Sequence, residues 1–259
     1  MITTLVWSER LLGIAILFQS IETLRLKNIW TEDGIWRWST VRNDFDVLPP
    51  ILLKTLDLLL AQKSFEILLK LRVAISIMVW IVHPALFIAF LFLSTWLIAI
   101  RFRGIFNGGS DSMTALVALS LTFAQAFHEH PLVLKACFAF IAVHVTASYF
   151  LAGLSKIKNP EWRLGLALPV FFETPRYDSP PEPLRALLKN QEMSKRVSWA
   201  IMLFECSFPL AWTGPKVCAV YIILALIFHI VNYYVFGLNR FLFAWMSGYP
   251  ALYFWSQYG

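Results

Sequence analysis

The side chains here with the clearest chemical potential gather where apolar runs meet polar ones. Foremost is Lys156, which closes the run Ser148-Tyr149-Phe150-Leu151-Ala152-Gly153-Leu154-Ser155-Lys156 and precedes Asn159-Pro160-Glu161-Trp162 and Gly165. An amine delivered to the end of a long apolar segment has two readings. It is an anchor that snorkels to lipid headgroups, or a base whose proton burial has loosened. Small residues at 152, 153 and 155 let another helix or a ligand approach the backbone closely. A desolvated amine at such a spot yields its proton more readily than one in water, as a general base must. On the second reading, Lys156 lines a cavity between helices and its pKa is depressed.

Other ionisable groups inside apolar runs are functional hypotheses in their own right, because burying them in lipid is costly. Glu205 lies near the middle of the apolar stretch 197–213, His229 within 217–237 and His144 within 132–154. Asn232 and Phe236 follow His229 by three and seven residues, which puts them on its face of a helix. The plainer reading is that each polar group makes an interhelical hydrogen bond that fixes packing, and it fits His144 best.

His128-Glu129-His130-Pro131 invites a metal reading, but histidines two apart on a helix point different ways, and no HExxH or EF-hand pattern occurs. No metal site is expected, and no phosphate loop, GxSxG elbow or haem motif is present. Cys137, Cys206 and Cys218 lie in apolar runs without CxxC spacing and read as small hydrophobes. Ser110 or Asp111 is placed to cap a helix starting near Met113.

The elements that must position these groups are membrane helices. Of 259 residues, 58% are hydrophobic and 15% charged, with a mean hydropathy of +0.64, against about 45–50% and about 25% in soluble domains. The apolar runs are too long for strands and do not alternate. The expected fold is therefore all-α, a polytopic membrane bundle forming one domain over 1–259. Apolar segments fall at 4–24, 73–83, 84–100, 113–127, 132–154, 197–213, 217–237 and 240–257. His83-Pro84 makes the second and third either two tilted helices or one kinked helix, so seven or eight spans are expected.

Extramembrane loops are expected at about 25–72, with amphipathic pieces over 52–69, and at 155–196. The proline-rich stretch 174–183 must leave regular structure, and Leu184, Leu187 and Leu188 then line one side of an interfacial helix. No cleavable leader is expected, since Glu9 and Arg10 interrupt the first apolar stretch.

With eight crossings, one side keeps only Arg10, Lys135 and Lys216 of the 22 basic residues. The Lys156 loop then lies in the cytoplasm. The net charge of +6 suits anionic lipid headgroups rather than nucleic acid. The location is an integral multi-pass membrane protein, of the plasma membrane or the inner membrane if prokaryotic.

The run Tyr149 to Ile157, with Trp162 and Gly165, resembles the membrane core of vitamin K-dependent gamma-carboxylases, whose bacterial relatives are called HTTM proteins. Supporting elements are Leu121-Thr122-Phe123 before His128, Asn107-Gly108-Gly109-Ser110-Asp111, Phe228-His229-Ile230-Val231-Asn232 and Tyr249-Pro250. The resemblance implies that Lys156 is the base that deprotonates a reduced quinone of the vitamin K kind, with His128 a second catalytic group. His229, Asn232 and Glu205 would support them.

The large domain that grips the carboxylase peptide substrate is not expected here, so peptide glutamate carboxylation is not implied. A straight helix over the 28 residues between His128 and Lys156 would also keep them apart. The expected activity is thus carboxylase-like chemistry on a quinone-like or other apolar substrate. The rival is a non-catalytic membrane component that helps a peptide toxin or small protein mature, or that binds lipid.

Overall fold

A computed structural model describes residues 1–104, 108–173 and 182–258; at 172, 173 and 183–185 only the backbone is described. Among the described residues every regular element is a helix. The chain forms two compact units, Met1–Cys137 with Phe243–Ser247, and Phe138–Leu242 with Gly248–Gly259.

The first unit begins with α1 (Ile2–Arg25), α2 (Lys27–Trp30), α3 (Trp38–Val41) and α4 (Pro50–Leu60). It continues with α5 (Gln62–Met78), α6 (Ala85–Arg101) and α7 (Gly109–Ala126). α1 packs along α5 and α7, and α6 packs on both of those neighbours. The buried stripe of α1 carries Ser8, Glu9, Gln19, Ser20 and Thr23 beside Leu5, Leu12 and Ile16. Such a polar inner face is how a membrane helix ties itself to its neighbours.

Arg72 is the main tie. It is fully buried and donates to Gln19 Oε1 at 2.6 Å, Ser94 Oγ at 2.5 Å, Thr95 Oγ1 at 3.1 Å and Ser20 Oγ at 3.2 Å. Gln19 Nε2 in turn donates to Asp111 Oδ1 at 3.0 Å. The helix expected to start near Met113 starts earlier, which places Ser110 and Asp111 inside its first turn. α7 starts at Gly109 with no side-chain cap, and Asp111 serves this network from the first turn instead.

The stretch 25–72 is more than a loop. Trp30, Trp38, Val41, Leu60, Phe65 and Leu69 form a core with Ile98 and Phe102 at the end of α6. The buried Arg101 guanidinium holds it by donating to Trp30 O at 2.5 Å and Leu60 O at 3.0 Å. The apolar segments 73–83 and 84–100 fall on separate helices. Pro84 disfavours helix at His83, so α5 stops at Met78 and α6 starts afresh at Ala85.

α8 (Pro131–Lys158) is unbroken, and the second unit begins within it at Phe138; α8 is followed by α9 (Pro160–Arg163), α10 (Ala167–Glu173), α11 (Glu182–Lys189) and α12 (Gln191–Ser207). A 3₁₀ turn (Phe208–Thr213), α13 (Pro215–Phe236), α14 (Asn239–Met246) and α15 (Tyr249–Ser256) complete the chain. Pro209 tightens the end of the 197–213 segment, so Glu205 sits in the last turn of α12 rather than mid-helix. The 240–257 segment is likewise two short helices broken at Ser247-Gly248.

Residues 174–181 of the proline-rich stretch, and the Leu184 side chain, lie outside the described residues. In α11, Leu188 is buried and Leu187 is 46% exposed. Three helices, α1, α8 and α13, are long and apolar enough to cross a membrane.

Candidate functional site

Lys156 meets Glu205 because α8 and α12 touch at Gly153. A Cβ at Gly153 would lie 2.7 Å from Cys206 Sγ, 2.8 Å from Cys206 N and 2.9 Å from Glu205 Cβ. Those gaps admit hydrogen but no side chain, so glycine is required for the approach. Lys156 follows by three residues on the same face, and its Nζ donates to both Oε1 and Oε2 of Glu205 at 2.7 Å. The Glu205 side chain is 3% exposed and that of Lys156 19%. The pair is held largely out of water, where each charge needs the other.

The Asn-Pro-Glu-Trp element folds an aromatic ring back over the amine. Asn159 caps α9 by accepting from Glu161 N at 2.9 Å, and Pro160 takes the first helical position. The turn closes at Gly165, whose φ is +75° and where a Cβ would strike the backbone of Lys195 on α12. Ser194 Oγ donates to Gly165 O at 2.6 Å, fixing the turn against that helix. Trp162 is thereby placed with its ring centroid 5.3 Å from Lys156 Nζ, within cation–π range.

A cavity of about 240 Å³ opens beside the pair, lined by Lys156, Trp162, Leu168, Phe171, Ile201, Phe228, Asn232, Phe236 and Leu238. Phe228, Asn232 and Phe236 recur every four residues and form one face of α13. His229 is one position round and turns elsewhere. It is buried, and its Nε2 lies 2.7 Å from Tyr149 OH, which lies 2.8 Å from Tyr249 OH. The Tyr149 ring stacks on Phe208 with centroids 4.0 Å apart.

Of the residues singled out from sequence, the structure thus joins Lys156, Glu205 and Asn232. His229 lies in an adjoining hydrogen-bonded chain with Tyr149 and Tyr249, which sequence reasoning placed in the resemblance without giving them a role. The available signal was chemical: a tyrosine inside an apolar helix needs a partner for its hydroxyl.

His128 belongs to the first unit and Lys156 to the second. His128 lies just before α8, whose 28 unbroken residues extend about 42 Å, and lines a different cavity with Glu9 and His83. His144 makes its bond within its own helix, Nδ1 lying 2.8 Å from Phe140 O, rather than across to another. Among the described residues no group of three or more His, Cys, Asp or Glu is placed to hold a metal ion. All three cysteines are free, Cys206 at the helix crossing and the other two buried.

Comparison of the chain with protein-family models, curated proteins and solved structures returns no match. The chemistry must be argued from the site. What the site offers is an ammonium and a carboxylate in direct contact, at the edge of an aromatic-walled cavity with one neutral amide in it.

Proposed function

We propose that this chain is a multi-pass membrane enzyme that holds an apolar ring-bearing substrate beside Lys156 and uses the Lys156–Glu205 pair as its acid–base centre. The reading follows the resemblance to the gamma-carboxylase core and is carried by one observation. A shielded lysine–glutamate pair, bonded at 2.7 Å, lies at the wall of an apolar cavity.

A reduced quinone of the vitamin K kind fits the lining. An apolar cavity of about 150 Å³ suffices for benzene, and the one here is about 240 Å³. Trp162, Phe171, Phe228 and Phe236 supply ring faces, and the Asn232 amide can orient a ring oxygen. Such a group, when bound, supplies electrons for chemistry with oxygen. The chain's own part is proton handling. Lys156 Nζ passes a proton to Glu205 across their hydrogen bond, and the amine then accepts one from a hydroxyl in the cavity. The aromatic walls exclude water while this happens.

Multi-pass insertion with seven or eight spans is part of the proposal. α1, α8 and α13 are long enough to cross, and the further apolar segments are α6, α7, the α12–3₁₀ run, the two pieces of 239–256 and, for an eighth span, the end of α5. In the first unit, Arg103 Nε donates to Asp44 Oδ2 at 2.5 Å, which supports putting 42–45 and 103 on the same side. The positive-inside rule makes that side, with the Lys156 loop, cytoplasmic.

The non-catalytic reading has its own supporting observation, since both Glu205 oxygens are engaged at a helix crossing, as in a purely structural clamp. Oxygen uptake with a reduced naphthoquinone separates the two. The wild type should consume oxygen, and Lys156→Arg, which keeps the cation but cannot act as a base near neutral pH, should fold and be inactive. No uptake by the wild type, or full activity in the arginine variant, would defeat the enzymatic reading.

A further inference from the structure

A second cavity, of about 420 Å³, lies within the first unit, where α1 meets the turn that starts α6. Its polar lining is Glu9, His83, Gln125 and His128, set against apolar groups such as Val6 and Ala85. Glu9 is the unusual member. Its side chain is 0% exposed, its Oε2 lies 3.0 Å from His83 Nδ1, and its Oε1 has no hydrogen-bond partner among the described residues. A shielded carboxyl oxygen without a donor is costly, and Glu9 is among the residues that line the cavity.

The neighbours are arranged to accept hydrogen bonds as well. Gln125 O lies 3.0 Å from His128 Nδ1. A carbonyl can only accept, so Nδ1 carries the proton and leaves Nε2 as an acceptor on the neutral ring. When ionised, Glu9 can only accept, so His83 paired with it also carries its proton on Nδ1. Gln125 Nε2 donates to His83 O and so steadies that turn. With Glu9 ionised, the polar lining includes a carboxylate oxygen, two imidazole nitrogens and the Gln125 side-chain carbonyl, all acceptors for the N–H donors of a cation.

We propose that this cavity binds a primary ammonium group carried on an apolar body, with Glu9 as its counter-ion and His83 and His128 as further acceptors. The same chemistry is presented by an aminophospholipid headgroup and by a free alkylamine.

The test uses the full chain in phosphatidylcholine nanodiscs, with n-butylammonium as probe and saturation-transfer NMR as readout. 1-Butanol and trimethylbutylammonium serve as controls, the first lacking the charge and the second the N–H donors. Butylammonium should bind, and both controls should bind about tenfold or more weakly, as expected for loss of a charge-assisted hydrogen bond. Glu9→Gln should abolish the preference. Ala85→Phe, which adds a ring at a residue lining the cavity and leaves Glu9 itself unchanged, should abolish binding altogether and covers the case in which Glu9→Gln fails to fold. Adding phosphatidylethanolamine to the discs assigns the site to the lipid if it displaces the probe, and to a soluble amine if it does not. Equal affinity for butanol and butylammonium, unchanged binding in Glu9→Gln, or retained binding in Ala85→Phe would overturn the proposal.

Discussion

Replacing Gly153 by alanine should push α8 and α12 apart and disturb the Lys156–Glu205 pair without touching either side chain. The new Cβ would lie 2.7–2.9 Å from Cys206 Sγ, Cys206 N and Glu205 Cβ, where ordinary contact begins near 3.4 Å, so the helices must separate by roughly 0.5–0.7 Å. Two of the three atoms belong to the backbone or lie next to it and cannot swing away. Overpacking of this kind costs about 1–3 kcal/mol. At about 2–4 °C per kcal/mol for a chain of this size, Tm should fall by about 2–12 °C. Thermal unfolding of the detergent-solubilised protein, followed by circular dichroism, measures it. Cys206→Ala in the same chain removes the 2.7 Å contact but leaves those at 2.8 and 2.9 Å, so its rescue should be partial. A Gly153→Ala protein with the wild-type Tm would refute the close crossing and the account of how the pair is positioned.

Further predictions concern the pair, the cap and the topology. Glu205→Gln strands a shielded ammonium and should destabilise by up to about 3 kcal/mol, whereas Lys156→Met with Glu205→Gln should recover part of the loss; chemical denaturation of the three proteins checks this. Asp57 accepts from Arg42 Nε at 2.8 Å and Trp38 Nε1 at 2.9 Å, and these bonds hold its carboxyl below the usual range. A depressed carboxyl contributes stability that is full above its unfolded pKa near about 4 and is lost as pH falls through the lower folded value. Tm should therefore drop with acidification in that window, and less steeply in Asp57→Asn. Single cysteines at positions 42 and 103 should label from the same side of the membrane, and opposite labelling would contradict the Arg103–Asp44 contact.

The all-helical class was legible because long apolar runs with few charges permit nothing else. The run Ala152-Gly153-Leu154-Ser155-Lys156 was legible in kind, since small residues before a lysine announce a close crossing. Its partner was only half legible. Glu205 stood out as an acid in an apolar stretch, but which helix it faced depends on where Pro209 ends α12. His229 and Asn232 share a helix and nearly a face, and one position of rotation decides that Asn232 lines the cavity while His229 bonds Tyr149. The packed core of 25–72 was hidden because Trp30, Trp38 and Phe65 are spaced too irregularly to show a period.

The central claim is that the Lys156–Glu205 pair takes a proton from a ring hydroxyl in the adjoining cavity. Anaerobic absorbance of reduced menadione with the purified protein tests it most directly, because the naphtholate absorbs at longer wavelength than the neutral hydroquinone. The account predicts a saturable red shift with the wild type near neutral pH, and bound but unshifted ligand with Lys156→Arg. The same red shift in both proteins, or saturable binding with no shift in the wild type, would contradict it.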